Sequence, residues 1–425
     1  MNTQGEDQRS QRHKWQPPPR PDWVQRINEE GYCMNAAGVV PLDAVTLLES
    51  ARRTTGLSDF GADDWREPFE ILCKALEEEA ELNLMGRIRT RSEMLQLLEA
   101  RLLIEDTYKR HPEINDQVVS QPIFVLGQGR SGTSFLINLL AANPDNGAPL
   151  QWEMIFPCPP PEQATYRTDP RIARADKLIK QWTRVVPQME AMHEFAGDLP
   201  LEDAQIFALN FMGPSWFGQL GQVPSYDAYI VTVDPMLGIR YHQRVLKLLQ
   251  WKNPRKNWVS KDCFHMDKLP QLMQVYPDAC FVWPHRDPVR ALASVVNLIG
   301  TCHWGRCDHP FKGGSYDEYQ TDPEMSGQRL SAVIDQLMAG VVPKKQIYNM
   351  LYRDLVGDTL GALQAMHDHF GIPFSEAGKQ GTRKYLRDHP RNARPPHKVN
   401  LPGAEIAKAR IAYKKYVDYF GVPVE

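Results

Sequence analysis

The 425-residue chain predicts an α/β fold: a doubly wound, mostly parallel sheet flanked by helices, preceded by a helical extension. Three observations predict it. The short apolar run Pro122-Ile123-Phe124-Val125-Leu126 is bounded by Gly127, then followed by a glycine-rich turn and a helix-like segment over 133–142 that stops at Asn143-Pro144. A second strand–turn–helix unit reads Ala279–Trp283, His285-Arg286-Asp287-Pro288, Val289–Leu298. A third joins the strand Ile347–Tyr352 to the helix Leu355–Phe370, which Gly371 closes. Continuous apolar strands suit a parallel sheet covered on both faces, and repeated strand–loop–helix units build a doubly wound sheet.

The remaining elements fit around this core. Residues 1–22 are polar and proline-rich and are expected to form a disordered tail, stiffened at Pro17–Pro19. Residues 23–118 form the helical extension. Its apolar residues Phe69, Leu72, Leu76, Leu82, Met85, Ile88, Met94, Leu97, Leu98 and Leu102 recur mostly at three- and four-residue spacing. Residues 119–425 form the α/β domain, with proline- and aromatic-rich insertions near 150–235 and 300–325 that are expected to shape a binding site. Further expected elements are a helix at Tyr241–Trp251, a strand at Asn257–Ser260 and a C-terminal helix at Ala404–Tyr419.

Composition narrows the function. Apolar residues make up 42% of the chain and the net charge is −3, so a sizeable core forms and there is no global basic field for nucleic acid. No segment reaches the roughly 20 apolar residues of a membrane helix. The polar N-terminus lacks the apolar core of a secretory signal, which makes a cytoplasmic location the expectation. The seven cysteines are scattered and odd in number, unlike a disulfide framework. The helices at 42–110 either cover the sheet or form an interface between copies, so a homo-oligomer stays open.

The turn Gly127-Gln128-Gly129-Arg130-Ser131-Gly132-Thr133-Ser134 carries the first chemistry. Its glycines let successive backbone N–H groups face one anion, and the next helix adds its positive end. Arg130, Ser131, Thr133 and Ser134 add donors. A Walker A loop has G-x-x-x-x-G-K-[ST]; here Thr133 stands where the lysine belongs, and no apolar strand ends in a metal-holding aspartate. The dinucleotide fingerprint is matched only by Gly127, Gly129 and Gly132, without its acidic residue about 20 positions on.

Together with the second unit, this loop resembles the superfamily of sulfotransferases that use 3′-phosphoadenosine 5′-phosphosulfate (PAPS), in the arginine form of bacterial and tyrosylprotein members. The resemblance implies a P-loop-like fold and a 5′-phosphosulfate loop formed by Gly129, Arg130, Ser131, Gly132, Thr133 and Ser134. It implies a 3′-phosphate site in Phe281-Val282-Trp283-Pro284-His285-Arg286-Asp287-Pro288, held by Arg286 and by Ser294 on the following helix. A forked guanidinium plus a hydroxyl suits a dianionic phosphate. Trp258-Val259-Ser260-Lys261-Asp262-Cys263-Phe264-His265 resembles the segment that brings a lysine to the transferring group, although that family often has proline where Cys263 stands. Tyr352-Arg353-Asp354-Leu355 resembles the strand end whose tyrosine lies near the nucleotide. Asn392–Lys398, with Arg394, His397 and Lys398, sits where the family has a basic loop over the nucleotide. The implied reaction passes a sulfuryl group from PAPS to a hydroxyl or amine of a small-molecule acceptor and releases adenosine 3′,5′-bisphosphate (PAP), with no metal.

In-line transfer builds negative charge on the leaving bridging oxygen, which Arg130, Lys261 and loop N–H groups would stabilise. The acceptor must lose a proton, so a base is required. Three candidates stay open: Glu153, whose position resembles the catalytic glutamate of the tyrosylprotein branch; His265, four residues after Lys261; and the cluster His193, Glu194, Glu202 and Asp203. Cys302-His303-x-x-x-Cys307-x-His309 matches no zinc spacing, and an acceptor-site loop is the expectation there. Trp152, Phe156, Trp182, Phe207, Phe211, Trp216, Phe217 and Trp304 suggest an apolar or aromatic acceptor. Two other readings stay open: a P-loop nucleotide hydrolase or kinase, and a non-catalytic nucleotide-binding protein on the same fold.

Overall fold

A computed structural model describes residues 15–312, 315–390 and 403–425. Five parallel strands form one sheet in the order β2-β3-β1-β4-β5: β1 Ile123–Val125, β2 Asn146–Gly147, β3 Asn257–Lys261, β4 Cys280–His285 and β5 Ile347–Leu351. Strand side chains alternate between the two faces, and the core divides accordingly. Phe124, Leu126, Trp258, Phe281 and Trp283 enter one core with the N-terminal helices. Ile123, Val125, Val259, Cys280 and Val282 enter another, with Leu136, Leu140, Leu363 and Met366 from the helices Thr133–Ala141 and Thr359–Phe370. Both faces of β1 are thus covered, which is why its sequence is an unbroken apolar run.

The strands and the helix after β1 lie within a few residues of their predicted positions. The helix expected over Tyr241–Trp251 starts earlier, at Pro235, where Asp234 accepts a hydrogen bond from the Met236 N–H. The segment read as one helix after β5 is two. Asp358 leaves helical space (φ −136°, ψ 80°) and its carboxylate caps Thr359–Phe370 through the Gly361 N–H. The C-terminal helix is likewise broken at Tyr413, into Gly403–Ala412 and Lys414–Phe420. The helix after β4 is longer than expected, Pro288–Trp304, so Cys302 and His303 sit on a buried helix and not in a loop.

In the N-terminal region the apolar repeat divides between Arg66–Glu78 and Leu84–Arg110. Glu81 adopts φ 45° at the break, and Asn83 caps the second helix by accepting from the Gly86 N–H. Leu84–Arg110 is buried on several sides, and its arginines are matched in place: Arg87 to Glu77 and Arg101 to Asn210 and the Phe60 carbonyl. Residues 15–22 depart from the disordered tail expected for 1–22. Trp15 donates to Asn297 (2.9 Å), the Arg20 guanidinium lies 3.5 Å over the Trp304 ring, and a helix starts at Asp22.

Two consequences are testable. Helix Leu84–Arg110 approaches the Arg306 carbonyl so closely at Gly86 that an added Cβ would lie 2.0 Å from that oxygen. Gly86→Ala should therefore destabilise the protein by about 2 kcal/mol or more, read as a lower midpoint in denaturant. Burial also keeps His285 and His303 neutral, pushing them down to about 3 and about 4. The unfolded chain, with histidines near 6.5, then takes up protons first. Stability is at full value above about pH 6.5 and is lost as pH falls towards these folded values. Between pH 6.5 and 5 each histidine should remove about 2 kcal/mol, measured by chemical denaturation across that range.

Candidate active site

Parallel pairing brings the chemistry to one edge. Val125, at the end of β1, is in register with Lys261 on β3 and with Val282 on β4, and the Leu126 N–H donates to the Val282 carbonyl (2.9 Å). The glycine-rich loop therefore emerges between Lys261 and the Arg286 turn, at the carboxyl ends of the strands where the chain order reverses.

The loop needs its glycines. Gly127 and Gly132 adopt φ 133° and 101°, and a Cβ on Gly132 would sit 2.5 Å from the Tyr352 ring. Arg130 is itself held at φ 69°. Its Nε donates to Ser294 Oγ (2.9 Å) and its Nη1 to the Met192 carbonyl (2.8 Å). The Ser131 hydroxyl donates to the Gln128 carbonyl (2.8 Å), closing the turn. Helix Thr133–Ala141 then presents its free N–H groups to the loop.

Lys261 is 3% exposed. Its Nζ contacts the Glu202 carboxylate and reaches Ser134 Oγ at 3.5 Å. The Lys261 carbonyl accepts from the Asp203 N–H (3.0 Å). Asp203 points the other way: its carboxylate meets His242 Nε2 (2.9 Å) and His265 Nε2 (3.0 Å) in a buried network. Burial opposes ionisation of Asp203, but the two histidines hold its carboxyl well below the usual range.

The predicted residues are not all brought together. Arg130, Ser134, Lys261, His193, Glu194 and Glu202 line one small cavity of about 80 Å³. Glu153 does not reach it. It is fully buried, accepting from the Leu150 N–H (2.9 Å) and Tyr166 OH (3.1 Å) and pairing with Arg255 (3.3 Å). Burial raises its carboxyl above the ordinary range against the pull of Arg255. These contacts anchor the short helix Gln151–Ile155. His265 also lies away from the cavity, facing Asp203 and packing edge-on to Phe124. Of the three expected sources of a base, only the cluster around Glu202 is beside Lys261.

Ser294 is at Arg130 and not at Arg286. Arg286 instead makes a forked pair with the Glu425 carboxylate (2.9 and 3.1 Å) and lies 4.7 Å over the Tyr352 ring. Tyr352 thus bridges the Arg286 turn and Gly132. Asp287 caps Pro288–Trp304 through the Val289 N–H and takes both Arg410 guanidinium nitrogens at 2.7 Å. Gly129 faces Val295 on that helix. Arg394, His397 and Lys398 lie outside the described residues.

The insertion expected near 150–235 supplies much of a second, larger cavity, including Trp182 and Trp216, whereas the part played by the N-terminal residues Trp23, Ile88 and Arg89 had no signal in the sequence. This cavity has a volume of about 440 Å³ and shares His193, Leu201 and Glu202 with the small one. Its walls include Trp23, Ile88, Leu178, Ile179, Trp182, Phe195, Trp216, Leu220 and Leu298, with Arg89, Gln151, Gln205 and Cys302. Burial, then the positive charges of Lys261 and Arg130, push His193 down to about 4, so it is a neutral imidazole at the seam between the two cavities.

Residues 122–376 match the sulfotransferase family. The omega-hydroxy-beta-dihydromenaquinone-9 sulfotransferase Stf3 of Mycobacterium bovis is 23% identical over 280 residues, covering 64% of this chain and 68% of that protein. The crystal structure of sulfotransferase STF1 from Mycobacterium tuberculosis H37Rv superposes with a TM-score of 0.72 at 27% identity, covering 88% of this chain and 98% of that one. That of STF9 from Mycobacterium avium gives 0.75 at 25% identity, covering 90% and 98%. With the phosphate-type loop, the lysine at its flank and the parallel sheet that sets them side by side, the chain belongs to the sulfotransferase family.

Proposed function

We propose that this enzyme transfers the sulfuryl group of PAPS to a hydroxyl, or an amine, at one end of an apolar small-molecule acceptor, releasing PAP. The observation that carries the reading is that an apolar chamber adjoins the loop cavity, the two sharing His193, Leu201 and Glu202 in their walls. A relative named for a hydroxylated menaquinone is consistent with an apolar acceptor.

In this reading the 5′-phosphosulfate lies on the loop N–H groups with Arg130, Ser131, Thr133 and Ser134. Ser294 fixes the Arg130 guanidinium. Arg286, stacked on Tyr352, takes the 3′-phosphate in place of the Glu425 carboxylate, a swap of one anion for another on the same fork. Arg394, His397 and Lys398 would close over the nucleotide. The acceptor enters from the apolar chamber with its hydroxyl at the seam. Its oxygen forms the new bond to sulfur as the bond between sulfur and the bridging oxygen breaks. Lys261 and Arg130 stabilise the charge that develops on that oxygen. Glu202, the carboxylate on Lys261, accepts the acceptor's proton. Neutral His193 lies beside it without adding a competing positive charge. Glu153 and His265 hold the architecture in place.

The test is transfer from sulfur-35-labelled PAPS to dodecanol, a substituted phenol and a hexose. Dodecanol or the phenol should be sulfated and the hexose should not. Glu202→Gln should lower kcat by about a hundredfold or more while PAP still binds. Hexose sulfation alone, or full activity in Glu202→Gln, would contradict the assignment.

A further inference from the structure

Three side chains on the wall of the large cavity also face solvent. Trp23 is 38% exposed, Ile88 42% and Leu178 39%. They come from three different helices, Asp22–Tyr32, Leu84–Arg110 and Pro170–Val185. A residue that lines a cavity and is still this exposed stands at its mouth. Deeper on the same walls, Met85, Ile179 and Met189 are buried. The apolar lining of the chamber thus continues outward over its rim. Single exposed apolar residues are ordinary, but a rim of them around an apolar chamber marks a surface that meets an apolar partner.

Charge is placed beside this rim, and it is one-sided. Helix Pro170–Val185 carries Arg171, Arg174, Lys177, Lys180 and Arg184 against one carboxylate, Asp176. Asp176 pairs with Lys180 (2.5 Å), and Arg171 pairs with Asp169 (2.7 Å). Lys177 and Arg184 are exposed and have no carboxylate partner among the described residues. With Lys180 they recur at i, i+3 and i+7, which makes one exposed stripe next to Leu178. The Arg184 guanidinium lies 5.7 Å from the Trp23 ring centre, so the stripe reaches the aromatic part of the mouth. Helix Asp22–Tyr32 does not share this charge, since Asp22, Glu29 and Glu30 outnumber Arg26. The positive charge belongs to the Leu178 side.

We propose that this mouth docks on an anionic lipid bilayer, so that an apolar acceptor passes from the membrane into the chamber without crossing water. This rests on the reading of the chamber as the acceptor site. Surfaces that lie on membranes combine apolar side chains that enter the headgroup boundary with lysines and arginines that meet anionic headgroups, and tryptophan favours that boundary. A second copy of the chain fits less well. A two-fold contact over the mouth would bring both cationic stripes into one interface and close the entrance.

Co-sedimentation of the full chain with vesicles tests this, using phosphatidylcholine alone and phosphatidylcholine with phosphatidylglycerol in equal parts. The protein should bind the anionic vesicles about tenfold or more tightly than the neutral ones, and added salt should reduce the difference. Lys177→Gln with Arg184→Gln should weaken binding to the anionic vesicles about tenfold or more. Trp23→Gln with Ile88→Gln and Leu178→Gln should weaken binding to both kinds by about tenfold or more. Unfolding midpoints identify a folding defect, and the charge variant stands independently of the apolar one. No binding to either vesicle overturns the proposal, as does binding that neither variant weakens or that ignores lipid charge. A chain that dimerises, binds no vesicle and becomes monomeric in the apolar variant also overturns it and assigns the face to a second copy. The transfer reading is separable. Dodecanol sulfation in detergent without vesicle binding removes only the docking surface. Vesicle binding without transfer from PAPS to any apolar alcohol removes the transfer reading and leaves the docking surface standing.

Discussion

Lys261 imposes the constraint on which the rest of the site depends. It is a nearly buried cation at the end of a central strand, and a buried charge is tolerated only with a partner. Glu202 supplies that partner, so the segment 199–205 must cross the carboxyl edge of the sheet. The Asp203 N–H ties this segment to the Lys261 carbonyl, and the Asp203 carboxylate locks it from behind through His242 and His265. Adjacent residues thus face opposite ways: Glu202 towards the loop cavity, Asp203 into the core. Removing one member of such a buried pair leaves an uncompensated charge and costs several kcal/mol. The charge that could serve transfer is therefore also a structural requirement.

Parallel pairing of β3, β1 and β4 does the remaining positioning. One strand ends in the lysine, the next in the glycine-rich loop and the third in the Arg286 turn, so three stretches far apart in the chain meet at one edge of the sheet. The contacts of Arg130 with Ser294 and of Tyr352 with both Gly132 and Arg286 join the two halves. The N-terminal helices complete the chamber. Leu84–Arg110 brings Arg89 and Glu93 to its wall, and Asp22–Tyr32 brings Trp23 and Ile27. The region outside the family match therefore lines the larger cavity beside the loop.

What could be read from the sequence was local. Short apolar runs ended by glycine mark buried strands, and a loop with three glycines, an arginine and hydroxyls marks an anion socket. Neither requires knowledge of distant contacts. The helix breaks at Asp358 and Tyr413 were hidden because apolar periodicity continues across them. Which candidate group stands beside Lys261 was not legible for a deeper reason. Glu153, Glu202 and His265 are all plausible by residue type, and only the third dimension reveals which one is beside Lys261 and which are enclosed by Arg255 or Asp203. Arg89 carries no mark in the sequence that sets it apart from the neighbouring arginines. Its burial depends on Trp182, Gly305 and Arg306, all far away in the chain.

The most direct test of the account is calorimetric titration with PAP and, separately, with ATP, each with and without Mg²⁺. The account predicts tight PAP binding that does not depend on the metal and is weakened by Arg130→Ala and Arg286→Ala. Absent PAP binding with Mg²⁺-dependent ATP binding in its place would contradict it.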